Sequence, residues 1–230
     1  MWLTPEEISI VGLSLRVAAV AVIVSLPIAI LAAYALARFN FPGKMLFDAV
    51  LHLPLVLPPV VVGFALLVFF GKNGAIGHLL DEWFGIVFAF RWTGAALASA
   101  IMGFPLMVRA IRLSIAAVDR QLEIAAKTLG ATSARAFFTS TLPLATPGIV
   151  TGVLLAFARD LGEFGATITF VSNIPGETET LPLAIYSFTQ VPGGDAMAFR
   201  LSIISVILSM GALLVSEWLT RRWERRISHD

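Results

Sequence analysis

The chain has 230 residues, 58% of them hydrophobic and 13% charged, with a net charge of +1 and no cysteine. Soluble domains carry about a quarter charged residues, so a chain of mean hydropathy +0.88 belongs in a membrane. The absence of cysteine excludes disulfides, cysteine-ligated zinc and thiol catalysis, and the near-neutral balance offers no argument for a nucleic-acid partner.

The opening MWLTPEEISIVG has acids where a signal peptide needs basic residues, and the apolar run behind it is too long for a signal core. It is expected to stay on the chain. Residues 11–37 form a first span, interrupted by Arg16 near its start and Pro27 in its middle. Arg38, Asn40, Pro42, Gly43 and Lys44 make a short turn. The second span, 45–70, contains LHLPLVLPPVVVG, in which Pro54, Pro58 and Pro59 each remove an amide donor and must kink or unwind it. Broken helix at membrane depth survives where it lines a cavity or packs on protein, which assigns this segment to the pathway rather than to lipid. His52 has no second ligand at metal spacing and reads as a hydrogen-bonded interfacial histidine. Residues 71–91 form a glycine-punctuated loop lying along the interface, with Trp83 and Trp92 at headgroup depth. The third span, 93–108, holds Pro105, and Arg109 and Arg112 lead out of it.

Residues 119–143, DRQLEIAAKTLGATSARAFFTSTLP, are a polar island between apolar segments. Asp119 is placed to cap a helix, because its carboxylate accepts from amides without intrahelical partners. Leu122, Ala125, Ala126 and Leu129 recur at helical spacing as one narrow apolar stripe. Gly130 ends that helix, as the residue type that most easily turns left-handed. Thr132 or Ser133 caps a second short helix, and Leu142-Pro143 closes it. Two adjacent alanines let another backbone approach closely, so the first helix is shaped to lie in a groove. On periodicity alone an ordinary loop between two spans fits equally well.

Thr146-Pro147 reads as an N-cap followed by proline at the first helical position, opening a fourth span over 147–161. Arg159 and Glu163 are four apart and pair on one helix face. They are either a gate or substrate contact, as ionisable groups at membrane depth usually are, or a solvated helix end. Residues 181–189 are too few to span and suit a re-entrant or interfacial helix. VPGGD breaks the chain, and the last span, 201–219, ends in RRWERR. Basic residues cluster at Arg38 and Lys44, around 109–135, and at 221–226. Five spans with an external N-terminus put all three clusters in the cytoplasm, together with the C-terminus.

The 119–143 segment resembles the EAA loop of ABC importer permeases. Ala125, Ala126, Gly130, Leu142 and Pro143 fall in register with that pattern, while Ile124 takes the slot of its Glu, Glu123 standing one residue earlier, and Ser140 replaces its Ile. A Glu moved by one residue turns through about 100° on a helix, so its usual contact does not simply carry over. The resemblance implies that Glu123, Ala125, Ala126, Leu129, Gly130, Leu142 and Pro143 form a coupling element seated in a cleft of a separate ATP-hydrolysing subunit. A closer resemblance covers essentially the whole chain. FPGK at 41–44, LHLPLVLPPVVVG at 51–63, FPLMVRAIR at 104–112, TLGA at 128–131 and LGEFGATITFVSNIPGETETLP at 161–182 are similar to molybdate permease subunits of bacterial ABC importers. That implies a homodimer in the bacterial inner membrane, two cytoplasmic ATPase subunits, and an extracytoplasmic binding protein delivering a tetrahedral oxyanion. Molybdate, with tungstate, is the implied cargo, and sulfate or another oxyanion is the alternative.

No GxxxxGK[ST] phosphate loop occurs, so ATP hydrolysis is expected on a partner chain and not here. No HExxH is present, and neither a metal nor a cofactor is expected. An ion-coupled secondary transporter, the rival class, usually needs ionisable groups near the midplane, and the span interiors read as free of acids. A dianion gains from amide and hydroxyl donors, which makes Thr167, Thr169, Ser172 and Asn173, with Glu163, Pro58 and Pro59, the pathway candidates. The expected architecture is one all-α permease domain over 1–230: about five membrane helices, a re-entrant short helix and a cytoplasmic coupling helix.

Overall fold

The computed structural model describes residues 3–227. Met1 and residues 228–230 lie outside the described residues, as do the side chains of Arg221, Arg225 and Arg226, so the orientation argument at both ends is untouched by the structure.

The described residues are almost entirely helical. α1 (Pro5–Arg38) carries Pro27 without breaking, and its 34 residues reach about 50 Å, well beyond a bilayer core. It starts earlier than hydropathy suggests. Thr4 caps it in a reciprocal box with Glu7, and Pro5 occupies the first turn, a signal legible in Thr4-Pro5-Glu6-Glu7. Glu7, fully buried, also accepts from Arg200 Nε at 2.8 Å, tying the start of α1 to the last helix.

The second span is two helices, α2 (Lys44–Val56) and α3 (Pro59–Phe70), which meet at 112°. Pro54 is absorbed inside α2, whereas Leu57 and Pro58 are extended and Pro59 opens α3, so the Pro58-Pro59 pair makes the corner. α4 (Ala75–Phe84) is the short helix of the glycine-rich loop, with Trp83 exposed. Trp92 opens α5 (Trp92–Ala117) and lies under the Arg16 guanidinium, 3.8 Å from the ring centre. α5 runs on for nine residues past the expected end at 108, so Arg109 and Arg112 are helical rather than leading out. Arg112 reaches across to Asp48 of α2 at 2.9 Å.

Then come α6 (Arg120–Thr128), α7 (Ser133–Ala136), a π-helical turn at Phe137–Thr141, and α8 (Leu142–Leu161). Two expectations fail here. Leu142-Pro143 does not close the short helix, and Thr146 is no N-cap. The helix is continuous from Ser133 to Leu161, Pro147 lies inside it, and the Thr146 hydroxyl donates to the Leu142 carbonyl at 3.1 Å. A π turn widens the helix by one residue just ahead of Pro143, so the hydrogen-bond ladder is already irregular where the proline's missing amide falls. α9 (Gly165–Val171), packed on α3 and α5, and α10 (Leu181–Thr189, as expected), packed on α11, are both too short to span, and α11 (Asp195–Ile227) is the last long helix. Among the described residues four helices are long and apolar enough to cross a membrane, and the bent α2–α3 pair makes a fifth crossing if counted as one.

The core sits where α1, α5 and α8 cross. Ala29, Ala33 and Leu36 meet Met107, Val108, Ile111 and Ile115, with Ala145 and Ala156 from α8. Small side chains let the backbones approach, which is how membrane helices associate when lipid and protein are equally apolar. A second cluster joins α1, α3, α5 and α9 around Ala95, Ala98, Met102 and Phe170.

Candidate functional site

The candidate coupling segment is built from its caps. Asp119 Oδ1 accepts from the Gln121 amide at 2.9 Å, as expected, and each cap of this kind is worth about 1 kcal/mol. Gly130 takes φ +91° and ends α6. Of the two candidates for the next cap it is Thr132, whose hydroxyl accepts from the Arg135 amide at 3.2 Å.

What α6 buries is a charge and what it shows is apolar. Glu123, 8% exposed, is its one buried residue. Its Oε1 lies 3.0 Å from Arg38 Nε at the end of α1 and accepts from the Thr141 hydroxyl at 2.6 Å in the π turn. Arg38 further donates to the Val118 carbonyl, and Arg120 donates to the Arg38 carbonyl at 3.0 Å. The carboxylate therefore holds α6 against the ends of two membrane helices. Leu122 (45% exposed), Ile124 (52%) and Leu129 (89%) point away with Ala125, while Ala126 is half-buried. An amphipathic helix whose apolar side faces out has a surface left to cover. The displaced Glu follows the same geometry: position 123 turns inward and position 124 outward. Of the remaining coupling candidates, Pro143 is exposed and Leu142 half-buried on the first turn of α8, away from α6's apolar stripe in sequence but continuous with its π-turn anchor.

The pathway candidates do not form one lining. Pro58 is exposed at the α2–α3 corner and Pro59 packs against α9. A Cβ on Gly63 of α3 would lie 2.5 Å from the Ala166 carbonyl and 2.8 Å from Thr169 Cβ, so α3 and α9 touch backbone to backbone. Thr169 belongs to that contact, and its hydroxyl donates to Gly165 within α9 at 2.8 Å. Thr167 is buried, and its hydroxyl has no hydrogen-bond partner among the described residues. Ser172 is exposed at φ +62°, strained for a residue other than glycine. Asn173 is half-buried, its Nδ2 3.5 Å from Glu179 Oε1. Burial pushes the Glu179 carboxyl above the usual carboxylate range, against the pull of Asn173.

Glu163 is no solvated helix end. It is buried, pairs with Arg159 Nη1 at 2.7 Å, and accepts from the Ala166 amide at 2.9 Å, fixing the entry to α9. One expectation about the spans is overturned. Asp160, at the penultimate position of α8, is 5% exposed and packed onto Gly103 of α5, so an acid does lie inside the bundle. Its neighbours in sequence are charged, which made it look like part of a wet helix end. Sequence reasoning also passed over Arg38 and Thr141 as partners of Glu123, and Ser14, whose hydroxyl accepts from the Leu181 amide at 2.7 Å and so sets α10. These are pairings across 18 to 167 positions, beyond the reach of local pattern.

A profile of the family described as binding-protein-dependent transport system inner membrane component matches residues 25–229. The molybdenum transport system permease protein ModB of Escherichia coli (strain K12) is 62% identical over 221 residues, 96% of each chain. The sulfate transport system permease protein CysT of Salmonella typhimurium is 36% identical over 228 residues, 97% of this chain and 80% of that one. A solved bacterial alginate ABC transporter, in complex with an alginate pentasaccharide-bound periplasmic protein, superimposes with a TM-score of 0.73 at 18% identity, over 95% of this chain and 80% of that one, a likeness of fold.

Proposed function

The chain belongs to the family of binding-protein-dependent transport system inner membrane components, and from that premise we infer that it is the permease subunit of an ABC importer for molybdate. It is a multi-pass protein of the inner membrane. ATP hydrolysis takes place on a separate subunit, and a periplasmic binding protein delivers the cargo. Identity of 62% to a molybdenum permease against 36% to a sulfate permease favours molybdate as cargo. Tungstate, of the same charge and shape, follows it in our reading.

Residues 1–230 act as one permease domain, paired with a second copy across the apolar faces that α8 and α11 leave open in the single chain. The N-terminus lies outside, and 119–143 and the C-terminus lie in the cytoplasm. One observation carries the coupling role: α6 turns its acid into the protein and its leucines out. In this reading Leu122, Ala125, Ala126, Leu129 and Gly130 enter a cleft of the ATPase subunit, while Glu123 passes its movement to α1 and, through the π turn ahead of Leu142 and Pro143, to α8. The cargo passes near the α2–α3 corner at Pro58 and Pro59 and the α9 region, where Thr167, Ser172 and Asn173 offer neutral donors. Thr169 and Glu163 hold α9 in place for it.

Leu129→Cys in this cysteine-free chain tests the docking. A short thiol cross-linker is expected to join it to the ATPase subunit, whereas Trp83→Cys on α4 gives no such product. Equal cross-linking of both positions, or none from Leu129→Cys in an intact complex, would remove α6 as the docking element.

A further inference from the structure

A cleft of about 340 Å³ opens between α2 and α5, lined by Asp48, His52, Arg109, Arg112 and Leu113. It lies towards the end of α5 from which the coupling segment leaves. Its charges do not balance. Arg112 Nη1 is 2.9 Å from both Asp48 oxygens, and His52 Nδ1 is 2.8 Å from the Asp48 carbonyl and 3.3 Å from its Oδ1. The one carboxylate is therefore already engaged. Arg109 is exposed and makes neither a hydrogen bond nor an ion pair with any described residue. Two guanidiniums thus face a single acid.

We propose that this cleft holds a tetrahedral oxyanion, either the headgroup phosphate of an anionic phospholipid or a free molybdate or phosphate ion, gripped by Arg109 and steadied by Arg112. A guanidinium presents forked donors that match two oxygens of a phosphate-like group, and it stays charged at any working pH. Basic clefts between membrane helices on the cytoplasmic side are suited to anionic headgroups. The surroundings favour the lipid: Met45, Leu46 and Val50 are exposed along α2, apolar cover for acyl chains beside a charged head. Asp48 positions Arg112 and lowers the net charge to one cation in excess, so that the anion is held without being trapped. The site is distinct from the docking surface of α6, and it stands whether or not α6 docks on an ATPase.

The test uses the full chain in vesicles, with Leu113→Cys as its single cysteine, since Leu113 lines the cleft. Its rate of modification by N-ethylmaleimide is read relative to a separate Ser133→Cys chain, which corrects for surface potential. Four arms are compared at equal ionic strength: phosphatidylcholine alone, phosphatidylcholine with phosphatidylglycerol, and phosphatidylcholine with sodium molybdate or with inorganic phosphate. We expect slowing in at least one anionic arm and about fivefold weaker protection with Arg109→Gln, the loss of roughly 1 kcal/mol of attraction for one arginine. Protection by phosphatidylglycerol alone identifies a headgroup, and protection by the free ions identifies a soluble oxyanion. Arg109 has no partner to lose, so the glutamine variant folds as the parent does. No slowing in any arm, or equal slowing with Arg109→Gln, would overturn the site.

Discussion

At the scale of single residues, the account turns on Glu123. It is the one buried residue of α6, and its partner Arg38 is as enclosed as it is. Removing one member of a buried pair leaves the other charge uncompensated, at a cost of about 3–5 kcal/mol. Glu123→Ala is therefore expected to loosen α6 and to cut transport-coupled ATP hydrolysis by at least about tenfold, an equivalent of roughly 1.4 kcal/mol. Thr141→Val, which removes one hydrogen bond and keeps the ion pair, should fall between the two. Leu129→Asp separates docking from folding. At 89% exposure the side chain should change the chain's thermal stability by less than about 0.5 kcal/mol, while ATPase association in pull-down is lost. A fall in stability matching the loss of association would make Leu129 a structural residue. The identity of these positions was legible because caps, a stripe and a terminal glycine lie within a dozen residues. The direction each faces was not, since a one-residue displacement of the acid decides it and its partners come from α1 and the π turn.

At the scale of elements, glycine and proline set the joints. Gly130 needs its positive φ, and a Cβ there meets nothing within 4 Å, so within the chain Gly130→Val adds strain alone. That strain is worth about 1–3 kcal/mol. Gly130→Asn should retain more coupling than Gly130→Val in stimulated ATP hydrolysis, because asparagine tolerates the left-handed region. Gly63 differs: its α3 backbone lies on α9, and Gly63→Ala should lower the midpoint of thermal unfolding by an amount corresponding to about 1–3 kcal/mol. Gly12→Ala, with open space around it, is the control and should be neutral or mildly stabilising. Element bounds were readable where the signal is local, as for α10 and the caps of α6 and α7. They failed at α5, where two arginines looked like a span's end but one of them pairs with Asp48. They failed again at α8, where a proline inside a helix with a π turn imitates a fresh N-terminus.

At the scale of the whole molecule, composition assigned the membrane, and runs of apolar residues located the long helices α1, α5, α8 and α11 and the bent α2–α3 pair. The packing that makes these helices one body came only with the coordinates. Asp160 against Gly103 and Glu7 against Arg200 are long-range contacts that hydropathy hides, because each acid sits beside other charged residues in sequence. Orientation is checked by labelling: cysteines placed at the exposed Glu6 and Ser133 should react from outside and from the cytoplasm, respectively, with an impermeant reagent. The reverse pattern would invert the topology and remove α6 from the ATPase. The most direct test of the account joins cargo to coupling. The chain is reconstituted in liposomes with its ATPase and binding protein, and ATP hydrolysis is measured with molybdate, tungstate, sulfate or phosphate outside. The account predicts stimulation by molybdate and tungstate that Glu123→Ala abolishes. Stimulation by sulfate or phosphate but not molybdate, or undiminished stimulation in Glu123→Ala, would contradict it.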